Sequence, residues 1–134
     1  MIVLPKHYRF KVYNNTGVSI AISNVKVYAR RWKFSSTGAI SYESSQDTVL
    51  NNAGSLATAT YLAGDTEDNS TDLFIGGTFM FEVNPTTGSP NGNVILFFER
   101  STDGGTTWDS DGTGDVVAVL NFTSTGAKYK SFSL

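Results

Sequence analysis

The sequence contains no cysteine and only one histidine among its 134 residues. The lack of cysteine excludes disulfides, thiol catalysis and thiolate zinc sites, and a lone histidine excludes histidine-rich metal centres. Residues that favour helices are also scarce, because the chain has only four glutamates, one glutamine and two methionines. This composition argues against a helical protein.

Long apolar segments are missing as well. The longest apolar runs are about five residues, whereas a membrane-spanning helix needs about 20. The first residues lack the charged segment and long apolar stretch of a secretory signal. We therefore expect that the chain does not associate with a membrane. We also expect that it is made in a cytoplasm, unless a signal has already been removed.

Turn-forming and small polar residues are abundant in their place. The chain has 15 serines, 16 threonines, 10 asparagines and 13 glycines, and these residues recur in clusters between short segments of alternating polarity. The length is enough for a self-sufficient core without metals or disulfides. We expect one domain covering residues 1–134.

The alternating segments predict half-buried antiparallel strands. In the first of them, Tyr8, Phe10 and Val12 share one face, whereas Arg9 and Lys11 share the other. About eight to ten such strands follow one another at intervals typical of a β-sandwich. The sequence therefore predicts an all-β antiparallel β-sandwich, with jelly-roll connectivity as one option.

One segment interrupts the alternation. Val25, Val27 and Ala29 lie in one phase, but the next large apolar residues, Trp32 and Phe34, lie in the other. Because a shift of one residue exchanges the two faces of a strand, we expect a β-bulge near position 30.

The small net charge of −2 conceals an uneven distribution. Residues 1–42 carry seven lysines and arginines and no acid, whereas residues 43–115 carry all twelve acids and a single arginine. The segments either neutralise each other within the fold or form a two-poled surface that docks onto a partner or another copy. Nucleic acid is not the expected partner, because the whole chain is acidic. The candidate interface residues are Arg30, Arg31, Trp32 and Lys33.

The most specific motif is Ser101-Thr102-Asp103-Gly104-Gly105-Thr106-Thr107-Trp108. It resembles the Asp-box, S-x-D-x-G-x-T-W, at every defined position, namely Ser101, Asp103, Gly105, Thr107 and Trp108. An aspartate accepts hydrogen bonds from turn amides, glycine permits positive φ, and the indole covers the base of the hairpin. Asp-boxes occur in sialidase propellers and in unrelated β-proteins, so the resemblance implies a structural hairpin rather than an active site.

Two carboxylate sets are the remaining candidates for chemistry. Glu82 and Glu99 lie on consecutive predicted strands and could form a glycosidase-like pair, but alternation favours solvent exposure for both. Asp109, Asp111 and Asp115 offer oxygen ligands at short spacing and could hold calcium, although they do not complete an EF-hand pattern. We expect no catalytic residue and no cofactor, with calcium at these aspartates as the alternative.

Aromatic residues provide an alternative function. A carbohydrate-binding module needs two or three coplanar rings on an exposed face, whereas the same rings can also fill a core. The candidate rings are Tyr8, Tyr13, Tyr28, Trp32, Tyr42, Tyr61 and Trp108.

The chain as a whole resembles a bacteriophage virion accessory protein of the capsid decoration or cement type. The resemblance rests on the cysteine-free, Ser/Thr/Gly/Asn-rich β composition, on the Ser101–Trp108 hairpin, and on the strand-like ending Tyr129–Leu134. It implies a non-enzymatic virion protein, made in the host cytoplasm, that binds the major capsid protein or other virion subunits. Homo-oligomerisation, with a trimer as one form, is a further expectation. The alternative is a carbohydrate-binding module or a tail component that binds a receptor.

Overall fold

The computed structural model describes residues 4–44, 47–48, 50 and 54–134. These residues form antiparallel sheets that pack together, so the predicted all-β sandwich is confirmed. Among them, no helix has the length and apolar character needed to cross a membrane. The strands are β1 His7–Asn15, β2 Ile20–Ala21, β3 Val25–Phe34, β4 Ile40–Tyr42, β5 Asp47–Thr48, β6 Ser55–Leu56, β7 Thr60–Ala63, β8 Glu67–Asp68, β9 Gly76–Val83, β10 Gly92–Ser101, β11 Asp115–Phe122 and β12 Lys128–Ser133, with a 3₁₀ turn at Ile22–Asn24.

The strands form two five-stranded sheets and a small two-stranded one. The first sheet has the order β11-β10-β1-β7, with β8 also paired to β1. The second sheet has the order β12-β9-β3-β4, with β5 also paired to β3, and β2 pairs with β6. Consecutive strands β9 and β10 therefore belong to different sheets. Jelly-roll connectivity stays a prediction.

The core lies between the inner faces of the two main sheets. As predicted, Tyr8, Phe10 and Val12 all point inward and are fully buried. The ring of Phe10 lies 5.4 Å from that of Phe79 on the opposite sheet, and Phe132 stacks on Phe79 with centroids 5.3 Å apart. Aromatic rings of both sheets therefore meet in the core, where they supply large buried apolar areas beside many aliphatic side chains.

The bulge predicted near Arg30 is wrong. The pairing of β3 with β9 is continuous over residues 25–32, and the inward alternation simply continues to Arg31, which is buried. The sequence suggests a change of phase only because the inward position after Ala29 is occupied by a charged residue, Arg31. The structure places a register shift elsewhere, in the pairing of β10 with β11 between Leu96 and Phe97.

Candidate functional site

The ion pairs of the structure join the basic first part of the chain to its acidic middle. Among the described residues, six lysine or arginine pairs combine a cation from residues 1–42 with an acid from residues 43–115, so much of the uneven charge is neutralised within the fold, whereas Arg100–Asp115 joins two residues of the acidic segment. The pairs are Arg9–Glu99, Lys11–Glu99, Lys11–Asp111, Arg31–Glu43, Arg31–Glu67 and Lys33–Asp72.

The hairpin that resembles an Asp-box is built from the five residues that the motif defines. The Ser101 hydroxyl donates to Asp103 Oδ1 at 2.7 Å and accepts from the Gly105 amide at 2.8 Å. The Thr107 amide donates to the same Asp103 oxygen at 2.8 Å, and Trp108 Nε1 donates to the Gly105 carbonyl at 3.0 Å. Hydrogen bonds from the side chain and backbone of Thr107, followed by that from Ser101, hold the pKa of Asp103 well below its usual range. The motif thus fixes a tight, locally bonded turn.

This hairpin begins a loop that covers a buried charge cluster on the outer face of the first sheet. Glu99 is only 1 % exposed in its side chain and accepts from Arg9 Nε at 2.7 Å and from Lys11 Nζ at 2.8 Å. The Arg9 guanidinium lies 4.4 Å from the Trp108 ring centroid, and Lys11 Nζ also donates to Asp111 at 2.9 Å. Burial alone would lower the pKa of Lys11, but its bonds to Glu99 and Asp111 outweigh burial and raise it. Every charged group of the cluster is satisfied, which indicates a structural role.

The glycosidase-like carboxylate pair is not assembled. Glu82 lies on β9 in the second sheet, whereas Glu99 lies on β10 in the first, and both point away from the core between the sheets. They therefore face opposite sides of the sandwich. The expected solvent exposure of Glu99 is also wrong, because the loop after β10 covers its side chain.

The three aspartates considered for calcium are held apart by other partners. Asp111 pairs with Lys11, and Asp115 pairs with Arg100 at 2.8 Å. Within the described ranges, no three carboxylate, histidine or cysteine side chains converge on a common point, Asp109 included.

Arg31, predicted at an interface, lies inside the fold. Its guanidinium donates to Glu43 Oε1 from Nε at 3.0 Å and from Nη2 at 2.6 Å, to Tyr8 Oη at 3.0 Å and to Glu67 at 3.2 Å. It also lies 4.8 Å from the Phe74 ring centroid. Burial raises the pKa of Tyr8 to about 12. Arg31 therefore belongs to the structural core and is not available for docking.

The candidate rings for carbohydrate binding do not share one face. Tyr8 is buried in the core, whereas Tyr13 and Tyr61 form a pair 4.5 Å apart on the outer face of the first sheet. Trp108 lies on that face too, beneath Arg9. The remaining three, Tyr28, Trp32 and Tyr42, lie on the outer face of the second sheet.

The outer face of the second sheet carries an exposed apolar strip, defined as Trp32, Phe34, Ile40 and Tyr42. Trp32 pairs with Tyr42 and Phe34 with Ile40 across β3 and β4. Phe34, Ile40 and Tyr42 are 54 %, 56 % and 56 % exposed. The Trp32 indole lies against Gly76 of β9, where a Cβ would be only 2.8 Å from Nε1. Large neighbouring apolar side chains that stay exposed are typical of an interaction surface.

Only Trp32 of this strip was predicted as interface. The signal for the rest was present, because Trp32 and Phe34 before the turn have the same phase as Ile40 and Tyr42 after it. The expected bulge obscured that signal, because it explained the change of phase at Trp32 and Phe34 as an irregularity of the strand.

Of the other two predicted interface residues, Arg30 lies next to the strip and Lys33 points away from it. The Arg30 guanidinium lies 5.4 Å from the Tyr42 ring centroid on the outer face. Lys33 points the opposite way, where its Nζ lies 3.5 Å from Asp72 and 5.2 Å from the Phe74 ring centroid. The interface itself stays a prediction.

An open groove of about 680 Å³ lies beside the strip on the same outer face. Its walls include Arg30 and Tyr42 on one side and Thr78, Met80 and Ser131 on the other. The groove therefore combines charged, aromatic and hydroxyl-bearing residues, with Glu43 and Phe79 also in its lining.

The edges of the main sheets are protected against strand addition. Lys128 and Lys130 on edge strand β12 pair with Val83 and Phe81, which point inward, so these lysines share the inward phase. Inward-pointing charges on an edge strand oppose pairing with another chain. Edge strand β11 contains the register shift described above, and β4 has only three residues. These three edge strands are consequently poorly suited to strand addition.

Comparison with known proteins finds no matching family model, no matching curated protein and no matching solved structure. Function is therefore inferred from the residues and geometry of the chain itself.

Proposed function

We propose that this chain is a non-enzymatic virion protein that docks onto the subunits of a viral capsid and stabilises the shell, as a decoration or cement protein does. The single observation that carries this proposal is the apolar strip on the outer face of the second sheet. The resemblance of the whole chain to phage virion accessory proteins supplies the identity of the partner.

The strip has the composition of a protein-binding surface. Interface energy concentrates in a few residues, among which tryptophan, tyrosine and arginine are enriched. Trp32, Tyr42 and the adjacent Arg30 are residues of this kind, and Phe34 and Ile40 extend the apolar area around them. Their packing on adjacent strands gives the surface a rigid base, which lowers the entropic cost of binding.

The acidic residues near the strip support a structural rather than a catalytic role. Glu43, the nearest carboxylate in the groove, is held by the Arg31 side chain and by its backbone amide. A carboxylate engaged in this way is poorly placed to exchange a proton with a substrate.

The direct test is binding of purified protein to empty shells of the virus that encodes it, assembled without this chain. We expect saturable binding and a higher thermal unfolding temperature of the shells. Phe34→Ser and Ile40→Thr should each weaken binding by about tenfold or more, because burial of a large apolar side chain contributes about 1.5–3 kcal/mol.

Val116→Thr is the matched control, because Val116 is 56 % exposed but lies on β11 in the other sheet. It should bind like the unmodified protein. Failure of the unmodified protein to bind shells would overturn the proposal, as would an equal loss for Val116→Thr.

A glycan-binding role, as a carbohydrate-binding module or a receptor-binding tail component, is the second candidate. It is favoured by the exposed Tyr42 ring beside the groove and the hydroxyls of Thr78 and Ser131. The neighbouring Trp32 and Phe34 rings meet at 82°, so they do not extend a flat stacking platform. Titration of a glycan panel with tryptophan fluorescence as the readout tests this role, and flat titrations would exclude it.

Self-association is a separate part of the proposal. A homotrimer would place three copies of the strip around one capsid junction and would strengthen binding through multivalency. Sedimentation equilibrium of the free protein measures its mass directly, and a monomer at all concentrations would rule out a trimer before docking.

A further inference from the structure

We infer that the groove beside the apolar strip receives a carboxylate from an aspartate or glutamate side chain of the partner protein, and that Arg30 binds it. This inference rests on the proposed function, because it names the chemistry that the docking surface recognises. It assigns a role to the groove, whereas the proposed binding to shells requires only the apolar strip.

The first observation is the charge of the groove. Its walls contain two charged side chains, Arg30 and Glu43. The Glu43 carboxylate is already engaged by Arg31, which donates to its Oε1 at 3.0 Å and 2.6 Å and also pairs with Glu67. Within the described part of the chain, no carboxylate forms an ion pair with Arg30. The groove therefore presents the exposed Arg30 guanidinium, whose charge is not already engaged in one of these ion pairs.

The second observation is that Arg30 is held in place. Its guanidinium lies 5.4 Å from the centroid of the Tyr42 ring, and its backbone is fixed by the pairing of Arg30 with Thr78 in the register of β3 with β9. Stacking on an aromatic ring leaves the edge of the guanidinium free for two parallel hydrogen bonds to a carboxylate. Preorganisation of this kind lowers the entropy lost when the ligand binds.

The third observation is the surrounding surface. The hydroxyls of Thr78 and Ser131 also line the groove and can donate to the second carboxylate oxygen. Next to them lies Met80, and the apolar strip borders the groove at Tyr42. Arginine and tyrosine are enriched among the residues that dominate the energy of protein interfaces, and complementary charges across an interface fix its register. This favours a protein partner over a polysaccharide.

The experiment measures the dissociation constant for empty capsid shells with four proteins: the unmodified chain, Arg30→Gln, Arg30→Lys and Lys26→Gln. Lys26 is the matched control, because it lies on the same strand and the same outer face but outside the groove. Unchanged circular dichroism and melting temperature show that each variant is folded.

We expect Arg30→Gln to weaken binding at least tenfold and to reduce its salt dependence. Arg30→Lys should be intermediate, since it keeps the charge but loses the bidentate geometry, and Lys26→Gln should stay within twofold. An Arg30→Gln protein that binds shells normally would overturn this inference and leave the proposed function intact. An equal loss for Lys26→Gln would also overturn it, because attraction would then be general rather than specific to the groove.

Two further outcomes separate the hypotheses. If the unmodified protein does not bind shells at all, the proposed function fails and this inference fails with it. If it binds alginate, but not neutral dextran, in an Arg30-dependent way, the groove recognises the carboxylate of a polysaccharide and the protein partner is wrong.

Discussion

Removing the charge of Glu99 should destabilise the fold far more than removing an exposed charge of similar geometry. Glu99 is 1 % exposed and bridges Arg9 and Lys11 at 2.7 Å and 2.8 Å. The substitution Glu99→Gln leaves two cations under the covering loop without their shared anion. Breaking a buried pair in this way costs about 3–5 kcal/mol of the free energy of unfolding. For a chain of this size, that loss lowers the melting temperature by roughly 10–15 °C.

The control is Asp115→Asn, which breaks the Arg100–Asp115 pair. Its N–O distance is also 2.8 Å, but the two side chains are 42 % and 49 % exposed. An exposed pair contributes at most about 1 kcal/mol. Urea unfolding followed by tryptophan fluorescence compares the two variants under identical conditions.

A third variant separates burial of charge from loss of contact. Glu99→Leu combined with Lys11→Met replaces the more deeply buried of the two Glu99 pairs by apolar side chains and should recover much of the stability lost in Glu99→Gln. Equal stability losses for Glu99→Gln and Asp115→Asn would refute the reasoning, because burial would then have no effect on the energy of the pair.

Three further predictions concern the hairpin, the core and the strip. The pKa of Asp103 is lowered in the folded state, so its carboxylate stabilises the fold above the unfolded pKa and loses this effect as the pH falls. In acid titrations of unfolding, the stability difference between the unmodified protein and Asp103→Asn should therefore shrink below about pH 4. A difference that does not depend on pH would contradict the assignment. Because the pKa of Tyr8 is raised to about 12, the free energy of unfolding should fall as the pH rises from about 10 toward 12. Tyr8→Phe should remove this part of the alkaline loss of stability. Tyrosinate absorbance follows the ionisation, and unfolding curves at each pH measure the stability. Gly76→Ala should crowd both the Trp32 indole and the end of the chain, since the new Cβ would lie 2.8 Å from Trp32 Nε1 and 2.6 Å from the Leu134 carbonyl oxygen. We expect a destabilisation of about 1–3 kcal/mol in urea unfolding, and a stability equal to that of the unmodified protein would contradict this packing.

The sequence predicted those features that depend on local pattern. Period-two alternation identified the inward residues of β1, and the eight-residue motif located the hairpin, because its hydrogen bonds join residues at most four positions apart. Glu99 was misassigned since alternation shows which face a residue occupies but not whether a distant loop covers that face. Arg31 was misassigned for a related reason. Its burial depends on Glu43 and Glu67, and no local pattern indicates that these acids meet it.

The same distant pairing determines when the protein can fold. Arg9 and Glu99 are separated by 90 positions, and Lys11 and Asp111 by 100. Chains dominated by such non-local contacts have high contact order and fold in milliseconds to seconds rather than microseconds. During translation, β10 is synthesised roughly 5–20 s after β1 at ordinary elongation rates, so β1 cannot pair with it before then. Throughout that interval the cations that later become buried are exposed on the nascent chain, where their mutual repulsion opposes premature aggregation.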